Sequence, residues 1–325
     1  MTAFNAVFLF FKLEEMSLIW YYYSGGIMMT DINRELLNLI KEELSTDIIC
    51  TRLGITKKEL KNRIQSIKNE GFNITNSYNY SGTRNYVFNK ENLESEQIVT
   101  INNDINRKNF RALAVADTHI GHVKYNMGYP ELMYDYCIKH NINIVFHCGD
   151  LLQGDKQCIL TPQEQLEELI ENYPKVDGIL TFLGFGNHEE AFLREYGINL
   201  KSVIEKYRDD IIPLGYGEQI IGIHTKDDIV ICHASHNFES NGVRLSGHSH
   251  RYKFVADDYN PTVTVPTLSD FLHTNDYPGA IELLLESENE KVRKLALNHL
   301  IINENNEIKQ VSRTEHKSLK TRCRK

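Results

Sequence analysis

Ala112-Leu113-Ala114-Val115-Ala116-Asp117-Thr118-His119 is a run of five apolar residues that ends at once in a carboxylate and an imidazole. A short apolar run with polar ends suits a strand buried on both faces. The pattern repeats downstream. Runs at 142–148, 179–183, 229–232 and 243–245 are followed by Asp150, by Asn187 and His188, by His233, and by His248 and His250. Helical stretches sit between the first three runs, around 131–139, 163–172 and 190–194, whereas the later runs at 262–265, 280–285 and 292–302 read as β alone. The body of the chain thus begins as α/β and ends in a mostly antiparallel half. Neighbouring parallel strands present their carboxyl ends along one sheet edge, where residues far apart in sequence converge. One histidine after a strand is an ordinary loop residue. Five strand ends that all carry ligand-type side chains predict a site.

The donor types suggest what that site holds. Mixed nitrogen and oxygen donors without a thiolate point to first-row ions, Mn²⁺ first and Fe or Zn after it, and away from Mg or Ca.

The segments Asp117-Thr118-His119, Gly149-Asp150, Gly186-Asn187-His188-Glu189, His233 and Gly247-His248-Ser249-His250 resemble, in order, the five motifs of the calcineurin-like metallophosphoesterases. The resemblance covers about residues 110–285. It implies an α/β fold, a four-layer αββα sandwich with two divalent ions at the sheet edge. It further implies that Asp117, His119 and His250 hold one ion, that Asn187, His233 and His248 hold the other, and that Asp150 bridges them. His188 then matches the family's catalytic histidine, which protonates the leaving oxygen or stabilises charge on the phosphoryl group. His122, His147, His224 and His236 fall outside the motifs and read as surface or supporting residues, and Cys148 and Cys232 as buried strand residues. Glu189 either orients His188 or places charge at a helix N-terminus.

The chain departs from particular branches of that family. Protein Ser/Thr phosphatases carry arginines after Gly-Asp and after Gly-Asn-His-Glu, whereas here Asp150 is followed by Leu151-Leu152-Gln153-Gly154. The phosphomonoester clamps are missing. Asp117-Thr118-His119-Ile120-Gly121 is closer to the opening motif of double-strand-break repair nucleases, which have longer accessory regions and an ATPase partner.

Upstream, Ile32, Leu36, Ile40 and Leu44 recur at helical spacing, and Ser45 and Gly54 bracket a second short helix. Thr56-Lys57-Lys58-Glu59 opens a third helix with a capping box, with Leu60, Ile64 and Ile67 on its buried side. Two strand-like runs joined through Ser81-Gly82-Thr83 follow. Residues 30–90 therefore resemble a winged helix-turn-helix. That resemblance directs Lys57, Lys58, Lys61 and Arg63 toward a DNA groove and Arg84, at the hairpin tip, toward a phosphate. The other reading is a helical adaptor with a solvated lysine face. Residues 91–109 read as a linker, 110–302 as the phosphoesterase domain and 303–325 as a basic tail, solvated and unstructured from Arg313 onward.

With 325 residues, 41% of them hydrophobic, the chain can bury the cores of two domains. A formal charge of -8 argues against a protein that coats nucleic acid along its whole surface. Six scattered cysteines without a Cys-x-x-Cys pair suit free thiols in a reducing cytoplasm. In residues 1–29, Lys12, Glu14 and Glu15 interrupt the apolar runs, so neither a secretory signal nor a membrane span is expected. This segment reads as a translated leader before a true start at Met28 or Met29, or as a docking extension. The leading functional reading is a metal-dependent hydrolase of DNA phosphodiesters. Hydrolysis of nucleotides or other small phosphate esters is the alternative, and a non-enzymatic DNA-binding regulator is third.

Overall fold

The computed structural model describes residues 31–42, 44–69, 74–79, 81–88, 99–102, 109–154, 157–223, 228–234, 242–271, 277–288 and 291–317. The expectations for residues 1–29, His224 and His236 lie outside the described residues. The chain divides into one compact unit of residues 1–76 and 85–93 and another of residues 77–84 and 94–325.

In the first unit, α1 (Asp31–Lys41), α2 (Thr46–Leu53) and α3 (Lys57–Asn69) follow the capping signals of the sequence. The Ser45 side chain accepts from the Ile48 N–H, and Gly54 closes α2 in the left-handed conformation with φ 63°. The Thr56 hydroxyl accepts from Glu59 N–H at 3.2 Å. Leu36, Ile40, Ile49, Leu60, Ile64 and Ile67 form one core with Ile74 of β1 (Ile74–Asn79) and Tyr86 of β2 (Arg84–Phe88).

The second unit carries two sheets. Its seven-stranded sheet has the order β15-β14-β13-β4-β5-β6-β7. Here β4 (Asn109–Val115), β5 (Ile144–His147), β6 (Leu180–Phe185) and β7 (Ile211–Tyr216) run parallel, and β13 (Gly279–Glu288), β14 (Lys291–Ile302) and β15 (Ile308–Lys317) add antiparallel strands. The other sheet includes β3 (Val99–Asn102), β8 (Gln219–Gly222), β9 (Asp228–Cys232), β10 (Gly242–Ser246), β11 (Lys253–Val255) and β12 (Thr262–Thr264).

The alternation of β4 shows why both of its faces are apolar. Ala112, Ala114 and Ala116 join Phe146, Phe182, Ile229, Ile231 and Leu245 in the core between the sheets. Leu113 and Val115 face the opposite way. They pack with Met133 of α4 (Gly128–His140), Leu169 of α5 (Pro162–Glu171), Phe192 of α6 (Asn187–Tyr196) and Ile204 of α7 (Leu200–Tyr207). The α/β class is as the motifs implied. Among the described residues the unit's helices pack on one face of the seven-stranded sheet, and the other face meets the second sheet.

Three local expectations differ from the structure. The stretch read as a linker contains β3, whose Ile101 is fully buried and pairs parallel with Tyr78. Two apolar residues inside a long polar run were too weak a signal to read as a strand. The region read as an unstructured tail contains β15, which pairs along β14 through to Lys317. It is an edge strand with solvated charges such as Arg313 and Glu315, and an edge strand needs only its partner's backbone to hold it. Finally, β12 pairs in parallel with β10, although its run belongs to the half read as mostly antiparallel, while β9 and β10 pair in parallel as the convergence of their ends required. The chain between β10 and β12 holds the short strand β11 and no helix, and such a connection leaves no periodic mark in the sequence. No helix among the described residues is long and apolar enough to cross a membrane.

Candidate metal centre

The expected residues come together. Asp117 and His119 follow β4, Asp150 follows β5, Asn187 and His188 open α6 directly after β6, His233 follows β9, and His248 and His250 follow β10. One potential ligand atom from each of Asp117, His119 and His250 lies within 4.8 Å of the other two, and the same holds for Asp150, His233 and His248. A third such group, His119, Asp150 and His188, links them. His119 Nε2 is 3.2 Å from His250 Nε2, and His233 Nε2 is 3.1 Å from His248 Nδ1. Asn187 lines the same cavity.

The backbone is bent to aim these groups. Asp117, His119, Asp150, His248 and His250 all have φ between 51° and 71°, and they are five of the eight non-glycine residues with positive φ among those described. Such conformations cost roughly 1–3 kcal/mol each and persist where the surroundings hold them. Here they are held by hydrogen bonds between the loops. Asp117 N–H donates to the Gly149 carbonyl and His119 N–H to the Asp150 carbonyl, both at 3.0 Å. The buried hydroxyls of Thr267 and Ser269 both donate to the Asp117 carbonyl at 2.9 Å. At Gly247 a Cβ would fall 2.7 Å from the Cys148 carbonyl and 2.9 Å from Asp117 Oδ2, so that position admits only glycine without displacement.

The electrostatics suit cations. Asp117 and Asp150 are almost fully buried. Burial works against the Asp150 charge, but His233 Nε2 at 2.9 Å and the other rings around it hold its carboxyl down at about 2. Burial likewise opposes charge on His233, yet Asp150 raises that ring to about 9. A carboxylate this eager for positive charge, set among imidazole nitrogens, fits divalent metal. His233 Nδ1 lies 2.8 Å from the Cys148 carbonyl, which accepts a hydrogen bond from Nδ1–H and leaves Nε2 for the centre. His119 is held well below its ordinary pKa by burial, which keeps it neutral and its lone pair free.

Glu189 sits in the first turn of α6, as the helix-N-terminus reading has it, and its bonds reach beyond that helix. Its buried carboxylate accepts from the N–H groups of Asp150, Leu152 and Gly186 at 2.9, 2.9 and 2.7 Å. It thereby ties the loop after β5 to the loop after β6. Burial and the nearby Asp150 push its carboxyl up to about 7, against the pull of those N–H groups.

The centre opens into a cavity of about 690 Å³ lined also by His122, Gln153, Gln157 and Phe271. Gln153, Gln157 and Phe271 went unnoticed in the sequence because they sit beyond the motif residues and are not ligand types. Phe271 packs on three imidazoles, with centroids 4.9, 4.4 and 4.7 Å from His119, His122 and His250. His122 lies at the rim beside Gln157, and His147 is buried with Nε2 2.9 Å from the Thr118 hydroxyl. Cys148 and Cys232 are buried strand-end residues, as expected.

The residues expected on DNA lie apart from this centre in sequence, and several have partners nearby. Lys57 pairs with Asp47 at 3.0 Å, and Arg63 bonds Glu59 at 2.8 Å and Asn33 at 3.3 Å. Lys58 is exposed and Lys61 half-buried. Arg84 lies within the second unit, where it donates to the Asp209 carbonyl at 3.3 Å and covers the Tyr78 ring.

Comparison with known proteins gives this geometry a family. Solved structures similar to the chain include the phosphoesterase YfcE from E. coli, 13% identical with TM-score 0.41 over 63% of this chain and 98% of that one. They also include Vacuolar Protein Sorting 29 from Cryptosporidium parvum, 12% identical with TM-score 0.40 over 65% and 100%. A third is the nuclease MPE from Pseudomonas putida, 16% identical with TM-score 0.34 over 52% and 83%. No curated protein matches the sequence. The family model for calcineurin-like phosphoesterases matches residues 110–302, more than half of the chain, and the protein belongs to that family of metal-dependent phosphoester hydrolases.

Proposed function

We propose that the protein hydrolyses phosphodiester bonds of DNA with two divalent ions, Mn²⁺ foremost. The observation that carries the choice of diester is the cavity lining: imidazoles, amides, Asp150 and Phe271, with no Lys or Arg among the described residues. A phosphomonoester dianion calls for a guanidinium clamp, whereas a singly charged diester can be held by metal ions and neutral donors. Asp117, His119 and His250 would hold one ion and Asn187, His233 and His248 the other, with Asp150 between them. Bound ions polarise the phosphoryl oxygens and acidify the attacking water.

The chain's own residues supply the rest. His188 Nδ1 is 2.5 Å from the Gln153 carbonyl, which accepts its hydrogen bond and turns Nε2 into the cavity. From there the ring, when protonated at both nitrogens, gives its Nε2 proton to the leaving oxygen or stabilises charge on phosphorus. Asp150 Oδ1 accepts the His188 N–H at 3.0 Å and so fixes the start of α6 against the centre.

DNA is supported by the helix–helix–helix–hairpin order and by Lys57, Lys58 and Lys61 on α3. The second reading, a nucleotide or other small phosphate ester, is favoured by the internal partners of Lys57 and Arg63, which leave less positive charge for a polyanion. The complete donor set makes a non-enzymatic regulator the weakest reading. The free cysteines fit an enzyme of the reducing cytoplasm. The deciding experiment is a Mn²⁺-supported panel of single- and double-stranded DNA, small diesters and monoesters. Diesters should be turned over well ahead of monoesters. Preference for monoesters would overturn the diester assignment, and turnover confined to nucleotides would replace DNA with the small-ester reading.

A further inference from the structure

A second cavity of about 250 Å³ adjoins the candidate centre and shares Asn187 and His233 with it. Phe185, Tyr216, Glu190 and Glu218 supply its other side chains of note. Tyr216 stands between Gly215 and Gly217, both at positive φ, where the chain leaves β7. Its hydroxyl donates to the Glu189 carbonyl at 3.2 Å, and its ring meets Phe185 edge-on with centroids 5.0 Å apart. The ring is therefore anchored at its tip and along an edge, yet 42% of the residue remains exposed. An aromatic side chain held in place beside a reaction centre, with surface left bare, is a stacking platform formed in advance.

The two carboxylates limit what can stack there. Glu190 and Glu218 repel phosphate and accept hydrogen bonds, so an anionic group is turned away and a ring with amino donors is received. We infer that the Tyr216 cavity binds one unpaired, amino-bearing nucleobase of the substrate, next to the phosphodiester held at the metal centre. The inference rests on the phosphodiesterase reading and narrows it. A base inside a duplex is stacked and paired, so the substrate must offer that base from a single strand, a frayed end or a short nucleotide.

The test uses the full-length protein with Mn²⁺ and two sets of dinucleotides. One set carries both bases, and the other has one base replaced by hydrogen on either side of the scissile phosphate. The readout is the ratio of kcat/KM with and without the base. Stacking of one base makes that ratio roughly tenfold to a hundredfold for one of the two positions. Tyr216→Ala should bring the ratio close to one, and Tyr216→Phe should retain most of it, because the face survives when the hydroxyl is removed. A wild-type ratio near one at both positions overturns the inference, as does a large ratio that Tyr216→Ala leaves intact. Equal loss of the ratio in Tyr216→Phe and Tyr216→Ala would show that the hydroxyl bond to Glu189 sets the site, not stacking, and also overturns it. Failure of the underlying reading looks different: no dinucleotide of either set would be cleaved.

Discussion

The ring of His188 is oriented by the carbonyl of Gln153, 2.5 Å from Nδ1, and its other nitrogen stands 3.8 Å from Asp150 Oδ2. A carbonyl only accepts, so Nδ1 carries a proton and Nε2 is the atom left to work in the cavity. A loop residue thirty-five positions away thus sets which ring nitrogen of His188 faces the cavity.

His188→Ala should therefore retain bound metal while turnover of a diester with a poor leaving group falls roughly 10²- to 10⁴-fold. Metal content and single-turnover rates, measured on the same preparation, decide it. A rate within a few-fold of wild type would remove His188 from the proton-transfer role.

Asp150→Asn should lose metal and activity together. The carboxylate is nearly fully buried, contacts His233 at 2.9 Å and belongs to two groups of candidate ligands, one with His119 and His188 and one with His233 and His248. Its amide replacement cannot offset two neighbouring dications. Metal analysis after dialysis is the check, and two ions retained at wild-type affinity would exclude the shared position. Chelation of the wild type should abolish turnover, with Mn²⁺ restoring it best.

Arg208→Ala should destabilise the second unit by about 3–5 kcal/mol. Arg208 is 1% exposed; it pairs with Asp210 through Nε and Nη2 at 2.8 and 2.6 Å and donates to the carbonyls of Leu169, Tyr173 and Pro174. Its removal strands a buried carboxylate and three carbonyls. Urea unfolding measures the loss, and a change below about 1 kcal/mol would show that the pocket relaxes to water.

Replacing Lys57, Lys58 and Lys61 by Glu should lower the ratio of long-DNA to small-diester turnover. It should also reduce the slope of log affinity on log salt by about one unit for each phosphate that the variant no longer neutralises. An unchanged slope would mean that these lysines, one of them already paired with Asp47, do not meet DNA.

The sequence by itself determined the ligand types and their order, because each candidate donor follows directly on an apolar strand and parallel strands bring such ends together. Asp117, Asp150, Asn187, His233 and His248 were legible for that local reason, and so were the caps at Ser45 and Gly54. Tertiary structure alone decided what surrounds them. Phe271 and Gln153 reach the cavity through loops with no periodic signal, and Glu189 takes its three N–H partners from backbone that no side-chain pattern records. The same holds for β15, whose own residues are mostly polar, and for β3, which is only four residues long. Neighbouring strands supply their hydrogen bonds and burial, and a strand defined by its neighbours becomes visible only once they are folded beside it.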